Sequence, residues 1–465
     1  MRHYRNTTLA TSTASLALAF ACSSEPADEA SGGREQSLEG GAAGAPSGGA
    51  AGAPSGGAAG AAAGSGNAGA AAADPAAGAS AVPALPAVSP DAGSAAGVFF
   101  LQQVADSEAG PVSFLAAAAA STLDELDGVD AAALGLSVPG DSPAAVHGTS
   151  VFLASSDEPT ISRFDLGANG QLVAGPSLSF ASLGVLDVFY WRVIIASDIK
   201  AYLFDSENGR AIAWNPATME LTGAEIDISE SEKPGFTLDP LAYYGRVVGG
   251  TLFVPASWYS DDEFASLGTA ALYAVDIASD TLLEFSEDTR CPGYMLAALP
   301  SGELHVLPDN LFAEELGLGT DASACSVRVA AGGVGIDPDF SQDLGALVAS
   351  AGAAPPRFVQ GGISDGNGGI YLGAAAPAEA AGDAGAAEGE LAYSLFRWDV
   401  AAGAASAVPG LSITGALVEH SNGAPPSFAL QPAADLASTR ILGLSASPAD
   451  EVSVAGNVVA FARLR

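Results

Sequence analysis

The chain has 465 residues, 49% of them hydrophobic, and a formal net charge of −37 from 53 acidic and 16 basic side chains. Neutralising nucleic-acid phosphates takes a basic stripe, and this balance excludes one. Lys200 and Lys233 are the only lysines, so attraction to anionic lipid headgroups is excluded as well, and the acidity reads as a solvated shell that names no ligand.

The first residues carry Arg2 and Arg5, and Leu9 to Ala21 is mildly apolar but too short to span a bilayer. Residues 1–21 therefore read as an export signal. Leu18-Ala19-Phe20-Ala21-Cys22-Ser23 resembles the cleavage and lipidation box of bacterial lipoproteins, although Ala19 stands where Leu is usual. The resemblance implies a Cys22 that becomes the acylated N-terminus, and at about 0.8 kcal/mol per buried CH₂ several chains would anchor it permanently. The other reading is plain secretion with Cys22 incidental. Residues 22–96 are Gly, Ala, Pro and Ser with few large side chains, and Gly41 to Gly48 recurs identically as Gly49 to Gly56. Such a segment cannot bury a core and reads as a disordered tether with a reach of about 45–50 Å. No later stretch is long and apolar enough for a transmembrane helix. The expected location is thus extracytoplasmic, lipid-anchored to the cell envelope at the outer membrane or cell surface.

Large apolar residues arrive at Val98-Phe99-Phe100-Leu101, so residues 97–465 are the part that folds. Ser121 to Leu134 reads as a short capped helix or, given Gly128 and the density of acids, equally as an irregular turn. From Gly140 on, short apolar runs alternate with turn residues. Ala201 to Ser229 is the clearest unit, with Tyr202 to Phe204, Ala211 to Trp214 and Leu221 to Ile228 as strands around Ser206-Glu207-Asn208-Gly209 and Asn215-Pro216. Gly302 to Leu307 pairs in pattern with Cys325 to Val329, and Gly369 to Leu372 with Tyr393 to Val400. Phe340 to Val348 suggests a helical turn or two, and Ala374 to Gly389 a mobile hairpin loop.

An apolar or aromatic residue followed by Asp or Asn and a turn recurs at Phe164-Asp165, Trp214-Asn215, Val275-Asp276 and Trp398-Asp399. A meander repeating about every 50 to 60 residues is the mark of a β-propeller. The fold expected is all-β, a seven-bladed propeller closed by Asn457 to Leu464 beside Val98 to Val104. Six or eight blades also fit, and a two-sheet sandwich is the structural alternative.

With Cys22 assigned to lipid, Cys291 and Cys325 form an even pair in an oxidising compartment and read as a disulfide, against two separate buried thiols. Gly362-Ile363-Ser364-Asp365-Gly366 spells a nucleophile elbow, but the elbow needs a following helix, and Asn367-Gly368-Gly369-Ile370-Tyr371 turns into a strand. Ser364 therefore reads as a blade-turn residue. Asp365, Asn367 and Gly369 open like a calcium loop without its distant Glu. Asp261-Asp262-Glu263 and Asp337-Pro338-Asp339 are other oxygen-rich stretches, and solvated turns are the plainer reading of all three. His147, His305 and His420 carry no metal-ligand spacing. Trp191, Trp214, Trp258 and Trp398 sit in apolar runs and read as packing between blades. No catalytic residue, metal, cofactor or ligand-binding residue is assigned from the sequence.

Ser179 to Gly184 (SFASLG), Lys200-Ala201-Tyr202, Trp214 to Gly223 (WNPATMELTG) and Asp288-Thr289-Arg290-Cys291 together resemble a family of exported bacterial propeller proteins. Some members are associated with siderophore-iron uptake. The resemblance implies an iron-uptake setting and supplies no catalytic residues. The functional expectation is a non-enzymatic binding or accessory protein with a protein partner in the envelope, and the alternative is a calcium-dependent, lactonase-like propeller hydrolase. The cations Arg163, Arg192, Lys200, Arg210 and Arg246 are outnumbered by acids in their own repeats, so tight direct binding of an anionic ferric siderophore is not expected.

Overall fold

A computed structural model describes the chain from Gly97 onward. Residues 108–109, 156, 230–232, 261–266, 309–323, 354–355, 357, 376–391, 415–426, 434, 445–447 and 465 lie outside the described residues, as do 1–96. Cys22, His420, Asp261-Asp262-Glu263 and nearly all of the predicted Ala374 to Gly389 loop therefore fall outside them.

Seven antiparallel sheets follow one another as the blades of a propeller. Blade 2 is Ala145–His147, Ser150–Ser155, Thr160–Leu166 and Leu172–Ser179, and blade 3 is Val193–Ser197, Lys200–Asp205, Arg210–Asn215 and Glu220–Asp227. Blade 4 has a divided first strand, Phe236–Pro240 and Arg246–Val248, then Thr251–Ser260, Ala270–Asp276 and Thr281–Asp288. Blade 5 is Met295–Ala298, Leu304–Leu307, Cys325–Val329 and Gln342–Asp343, and blade 6 is Phe358–Ser364, Gly369–Ala375, Ala392–Asp399 and Ala404–Thr414. The described part of blade 7 is Ser427–Pro432, Ser438–Leu444 and Pro448–Ala455.

Blade 1 joins the two ends of the described chain. Gly97–Ser107, Gly110–Ala120 and Leu136–Pro139 take Asn457–Arg463 as their fourth strand, from Phe99 opposite Arg463 to Val104 opposite Asn457. Phe461 stacks on Phe99 with centroids 5.6 Å apart. The expected closure is thus present, and it ties the first blade to the end of the described chain, so that the ring leaves only the short edges of its individual blades.

Middle strands are covered by a blade on either side, so they read as unbroken apolar runs. Ala201 to Asp205 and Ala211 to Trp214 are buried at every position, whereas the outermost strand Glu220–Asp227 is largely exposed. The core lies between blades: Phe152 of blade 2 meets Trp214 of blade 3 edge to face, centroids 5.9 Å apart. Leu272 of blade 4 packs with Val306 and Val327 of blade 5.

The recurring Asp or Asn has a local cause. Asn215 Oδ1 accepts from the N–H groups of Ala217 and Thr218, Asp276 Oδ1 from those of Ala278 and Ser279, and Asp399 Oδ1 from Ala402. Each closes the turn into the fourth strand. Asp165 departs from this pattern, accepting instead from Ser150 Oγ and the Arg163 guanidinium. The stretch after Ser121, read as a short helix or an irregular turn, holds some of each: a 3₁₀ turn, Leu123–Leu126, and one helical turn, Ala131–Leu134, with Gly128 between them. The second predicted helix is Leu344–Ser350, capped by Asp343, whose carboxylate accepts from Ala346 N at 2.8 Å. Among the described residues no helix is long and apolar enough to cross a membrane.

Candidate functional site

In a four-stranded meander the turns joining strands one to two and three to four lie at the same end. At that end a cleft of about 670 Å³ opens across blades 4, 5 and 6, within the range of small-molecule and peptide sites. Blade 4 supplies Arg246, Val247, Val248 and Phe253. Blade 5 supplies Leu299, Ser301, Leu304 and the Gly332-Gly333-Val334 segment, and blade 6 supplies Ser364 and Gly366.

The charge of this lining runs against that of the chain. In a protein of net charge −37, the described residues lining the cleft include one guanidinium, Arg246, and no carboxylate. Arg246 Nη1 donates to the carbonyls of Gly245 at 2.9 Å and Tyr244 at 3.3 Å, which fixes the cation at the rim. Apolar and glycine backbone surface makes up most of the remainder, with Thr251, Ser301 and Ser364 as hydroxyls.

The divided first strand of blade 4 positions Arg246. Pro240 pairs with Ala256 and Arg246 with Phe253, so the five residues Leu241 to Gly245 face only Val254 and Pro255. Pro255 has no N–H to offer an inner strand, and its carbonyl accepts from Leu241 N at 2.7 Å where the bulge begins. Gly245 ends the bulge because a Cβ there would stand 2.7 Å from Ile194 Cδ1 and 2.9 Å from the Phe253 carbonyl. The bulge presents Tyr243 and Tyr244 to a chain of edge contacts, Trp191 to Tyr190 to Tyr243 to Tyr244, with centroids 5.3 to 5.4 Å apart. Burial pushes the Tyr243 hydroxyl up to about 12.

The sequence-predicted residues fall as follows. Ser364 ends the first strand of blade 6 and opens a turn into Gly369–Ala375, with its Oγ accepting from Gly366 N at 3.2 Å. No helix follows, so the elbow context is absent as expected, yet Ser364 does line the cleft. Asp365 is corrected: it is a buried structural group and not a solvated turn residue. Its side chain is fully buried, accepts from Asn367 N at 2.7 Å and Gly369 N at 2.8 Å, and pairs with Arg397. Burial raises its pKa, but those backbone N–H groups and Arg397 outweigh burial and hold the carboxyl below its usual value. Asp337 also departs from a solvated turn, since its carboxylate pairs with Arg328 at 3.1 Å.

The fold brings His147 to Asp198, Nε2 to Oδ1 2.8 Å, although 51 residues separate them. His305 lies elsewhere, fully buried between blades 5 and 6. Among the described residues no three His, Cys, Asp or Glu side chains gather where they could hold a metal ion. Cys291 and Cys325 form the expected disulfide, Cα atoms 5.3 Å apart.

Trp214, Trp258 and Trp398 are core residues, as expected. Trp191 is only half-buried, and its Nε1 donates to Asp239 at 2.9 Å beside the Arg192–Asp239 pair. Each named cation is engaged. Arg163 holds Asp165 and the carbonyls of Pro216 and Ala217 in blade 3, Lys200 holds Asp280, and Arg210 holds Asp205 and Glu225. Sequence reasoning missed the cleft itself. The available signal was Arg246 followed by Gly249-Gly250, a stretch with a cation and no acid in an otherwise acidic chain.

No protein-family model matches the chain, and no curated protein does. Among solved structures it is similar to a Lactobacillus plantarum protein at 11% identity and a TM-score of 0.43, over 80% of this chain and 100% of that one. It is also similar to Kuenenia stuttgartiensis hydrazine synthase, at 11% identity and a TM-score of 0.40, over 66% and 78%. Acinetobacter baumannii TolB matches at 12% identity and a TM-score of 0.35, over 79% and 82%. The assignment to the propeller class rests on the strand order and the closure of blade 1.

Proposed function

We propose that the chain is an exported binding module without enzymatic activity, in which the cleft across blades 4 to 6 receives a protein partner of the cell envelope. Cys22 carries the lipid anchor, residues 22–96 are the tether that lifts the propeller off the membrane, and the partner belongs to siderophore-iron uptake. The observation that carries this reading is the composition of the cleft: among the described residues that line it, one arginine, no carboxylate, and apolar and glycine surface in a chain of net charge −37. An acidic protein repels anionic surfaces unless one region relaxes the repulsion. This cleft is such a region. The carboxylates that the turn motifs suggested as chemistry, Asp365 and Asp337, are held by Arg397 and Arg328, which suits a scaffold better than a reacting centre.

The test is site-specific photo-crosslinking in intact cells. A photoreactive residue at Val247, which is 43% exposed in the cleft, is compared with one at Leu283, 45% exposed in the fourth strand of blade 4. The expected result is one discrete adduct with an envelope protein from position 247 and none from 283. Equal adducts from both positions would remove the cleft from the reading. Cys22→Ala should release the protein from the membrane fraction, and retention of the variant there would count against the anchor.

A further inference from the structure

We infer that Asn367 is a self-modifying site: in the folded protein it converts to aspartate and isoaspartate faster than the other described Asn-Gly pairs, and so brings a carboxylate to a turn of the cleft. The inference holds whatever the cleft binds.

Asn169-Gly170, Asn208-Gly209 and Asn367-Gly368 are the Asn-Gly pairs among the described residues, and each asparagine is exposed. The chemistry available to them is the same. The glycine nitrogen gives its proton to water and attacks the asparagine Cγ, the bond from Cγ to Nδ2 breaks, and Nδ2 leaves as ammonia. The succinimide so formed then takes up one water: opening at Cγ gives aspartate, and opening at the main-chain carbonyl gives isoaspartate. Nothing is oxidised or reduced. Glycine favours the closure because it has no Cβ to obstruct the ring.

What differs between the pairs is how the reacting atoms are held. Gly170 N–H donates to the Gly167 carbonyl at 2.9 Å, and Asn169 Oδ1 accepts from Gln171 N at 3.2 Å. Gly209 N–H donates to the Ser206 carbonyl at 3.1 Å, and Asn208 Nδ2 donates to both carboxylate oxygens of Asp205, at 3.0 and 2.9 Å. Both nitrogens must leave a backbone acceptor before they can attack. Gly368 is different. Among the described residues its N–H has no acceptor, and the Asn367 side chain makes one bond, from Nδ2 to the Asp365 carbonyl at 3.1 Å. Gly366 and Gly368 flank the asparagine with φ of 71° and 91°, and a Cβ on Gly368 would meet nothing within 4 Å. The ring therefore has a free nucleophile and room to close.

The product alters the turn. A carboxylate cannot donate to the Asp365 carbonyl as Nδ2 does, and it stands next to Gly366, which lines the cleft together with Ser364. Since the described lining holds no carboxylate, conversion adds to the rim a charge that the lining lacks.

The experiment ages the purified full chain at mildly alkaline pH, native and in urea, and follows it by peptide mapping with mass spectrometry. The map scores the exchange of NH₂ for OH at each asparagine and separates isoaspartate from aspartate. Asn422-Gly423 lies outside the described residues and is read as its own peptide. The expected native order is Asn367, Asn169, Asn208, with Asn367 about fivefold or more ahead of Asn169, the factor that one backbone hydrogen bond supplies. In urea the three rates should converge, because the same dipeptide then reacts in each. Asn169 or Asn208 reacting in the native protein as fast as Asn367 overturns the inference. So does a lead of Asn367 that persists in urea, which would trace to neighbouring sequence and not to the free Gly368 N–H.

Discussion

His305 of blade 5 and Trp398 of blade 6 meet edge to face across the blade boundary, ring centroids 4.9 Å apart with planes at 80°. Ser326 Oγ donates to the Val327 carbonyl at 3.1 Å, so its lone pair accepts from His305 Nδ1 at 3.2 Å. Nε2 is then the unprotonated nitrogen, buried and without a partner. Protonating it would place a charge among aromatic rings. Burial first, and Arg328 second, hold the imidazole down at about 4.

This relationship predicts a pH dependence of known sign. The unfolded imidazole titrates near 6.5, so between that value and about 4 the unfolded chain binds a proton that the native state refuses. The contribution of His305 to stability is complete above pH 6.5 and is lost as pH falls towards 4, by about 3 kcal/mol in all. His305→Leu removes it. Urea unfolding of parent and variant at pH 7.5, 5.5 and 4 should show the parent losing ground to the variant by about that amount. Parallel pH profiles would contradict a neutral, buried imidazole.

Asp365 gives a second test. Its carboxylate, fully buried beneath the turn, satisfies two backbone N–H groups and the Arg397 guanidinium. Asp365→Ala leaves those donors unmet and should cost about 3–5 kcal/mol. Asp365→Asn keeps one acceptor oxygen and should cost less, about 1–3 kcal/mol. Chemical denaturation ranks the two, and an Ala variant as stable as the parent would return Asp365 to the solvated turn that its sequence suggests.

These residues mark how far the sequence was legible. The middle strands could be read because a strand covered on both faces is an unbroken apolar run, as at Ala211 to Trp214, and the turns because Asn215, Asp276 and Asp399 cap them. Closure was legible because Asn457 to Leu464 is a further apolar run left over at the end of the chain, able to pair beside Val98 to Val104. The bulge at Leu241 to Gly245 was not legible, because Leu-Ala-Tyr-Tyr-Gly continues an apolar run and the cause, Pro255, lies on the neighbouring strand. Asp365 looked like a loop acid for a similar reason. Its partner Arg397 is 32 residues away on the third strand of the blade, and local spacing carries no trace of a cross-strand pair.

The disulfide is the third test. Cys291 precedes the first strand of blade 5 and Cys325 opens the third, so the bond ties the entry of the blade to its middle across 34 residues. On the chain-entropy account a loop of that length contributes about 3–4 kcal/mol. Non-reducing peptide mapping should join the two fragments, and the double variant Cys291→Ala, Cys325→Ala should unfold at correspondingly lower denaturant. Free alkylation of both thiols without reductant would rule the bond out.

Asp280 provides the last test, because it combines backbone strain with a bond between blades. It sits in the turn between the third and fourth strands of blade 4 with φ of 54°, a left-handed conformation that costs most residues about 1 kcal/mol. From there its carboxylate reaches blade 3, accepting from Lys200 Nζ at 2.5 Å and Tyr202 Oη at 2.7 Å. Both ions of the pair are mostly shielded, with side-chain exposures of 19% and 15%, so salt screens it only in part. Burial, together with the bond to Asp280, keeps the Tyr202 hydroxyl protonated as the donor. Asp280→Asn tolerates the left-handed turn and still accepts from Tyr202, but gives up the charge. Asp280→Gly relieves the backbone and leaves Tyr202 and Lys200 unmet, at about 1–3 kcal/mol less the strain it recovers. Asp280→Ala loses the bonds and keeps the strain. The expected order of stability in urea is parent, Asn, Gly, Ala, with Gly above Ala by about 1 kcal/mol. A Gly variant equal to or above the parent would mean that backbone strain outweighs the contact, and that Asp280 does not hold blades 3 and 4 together.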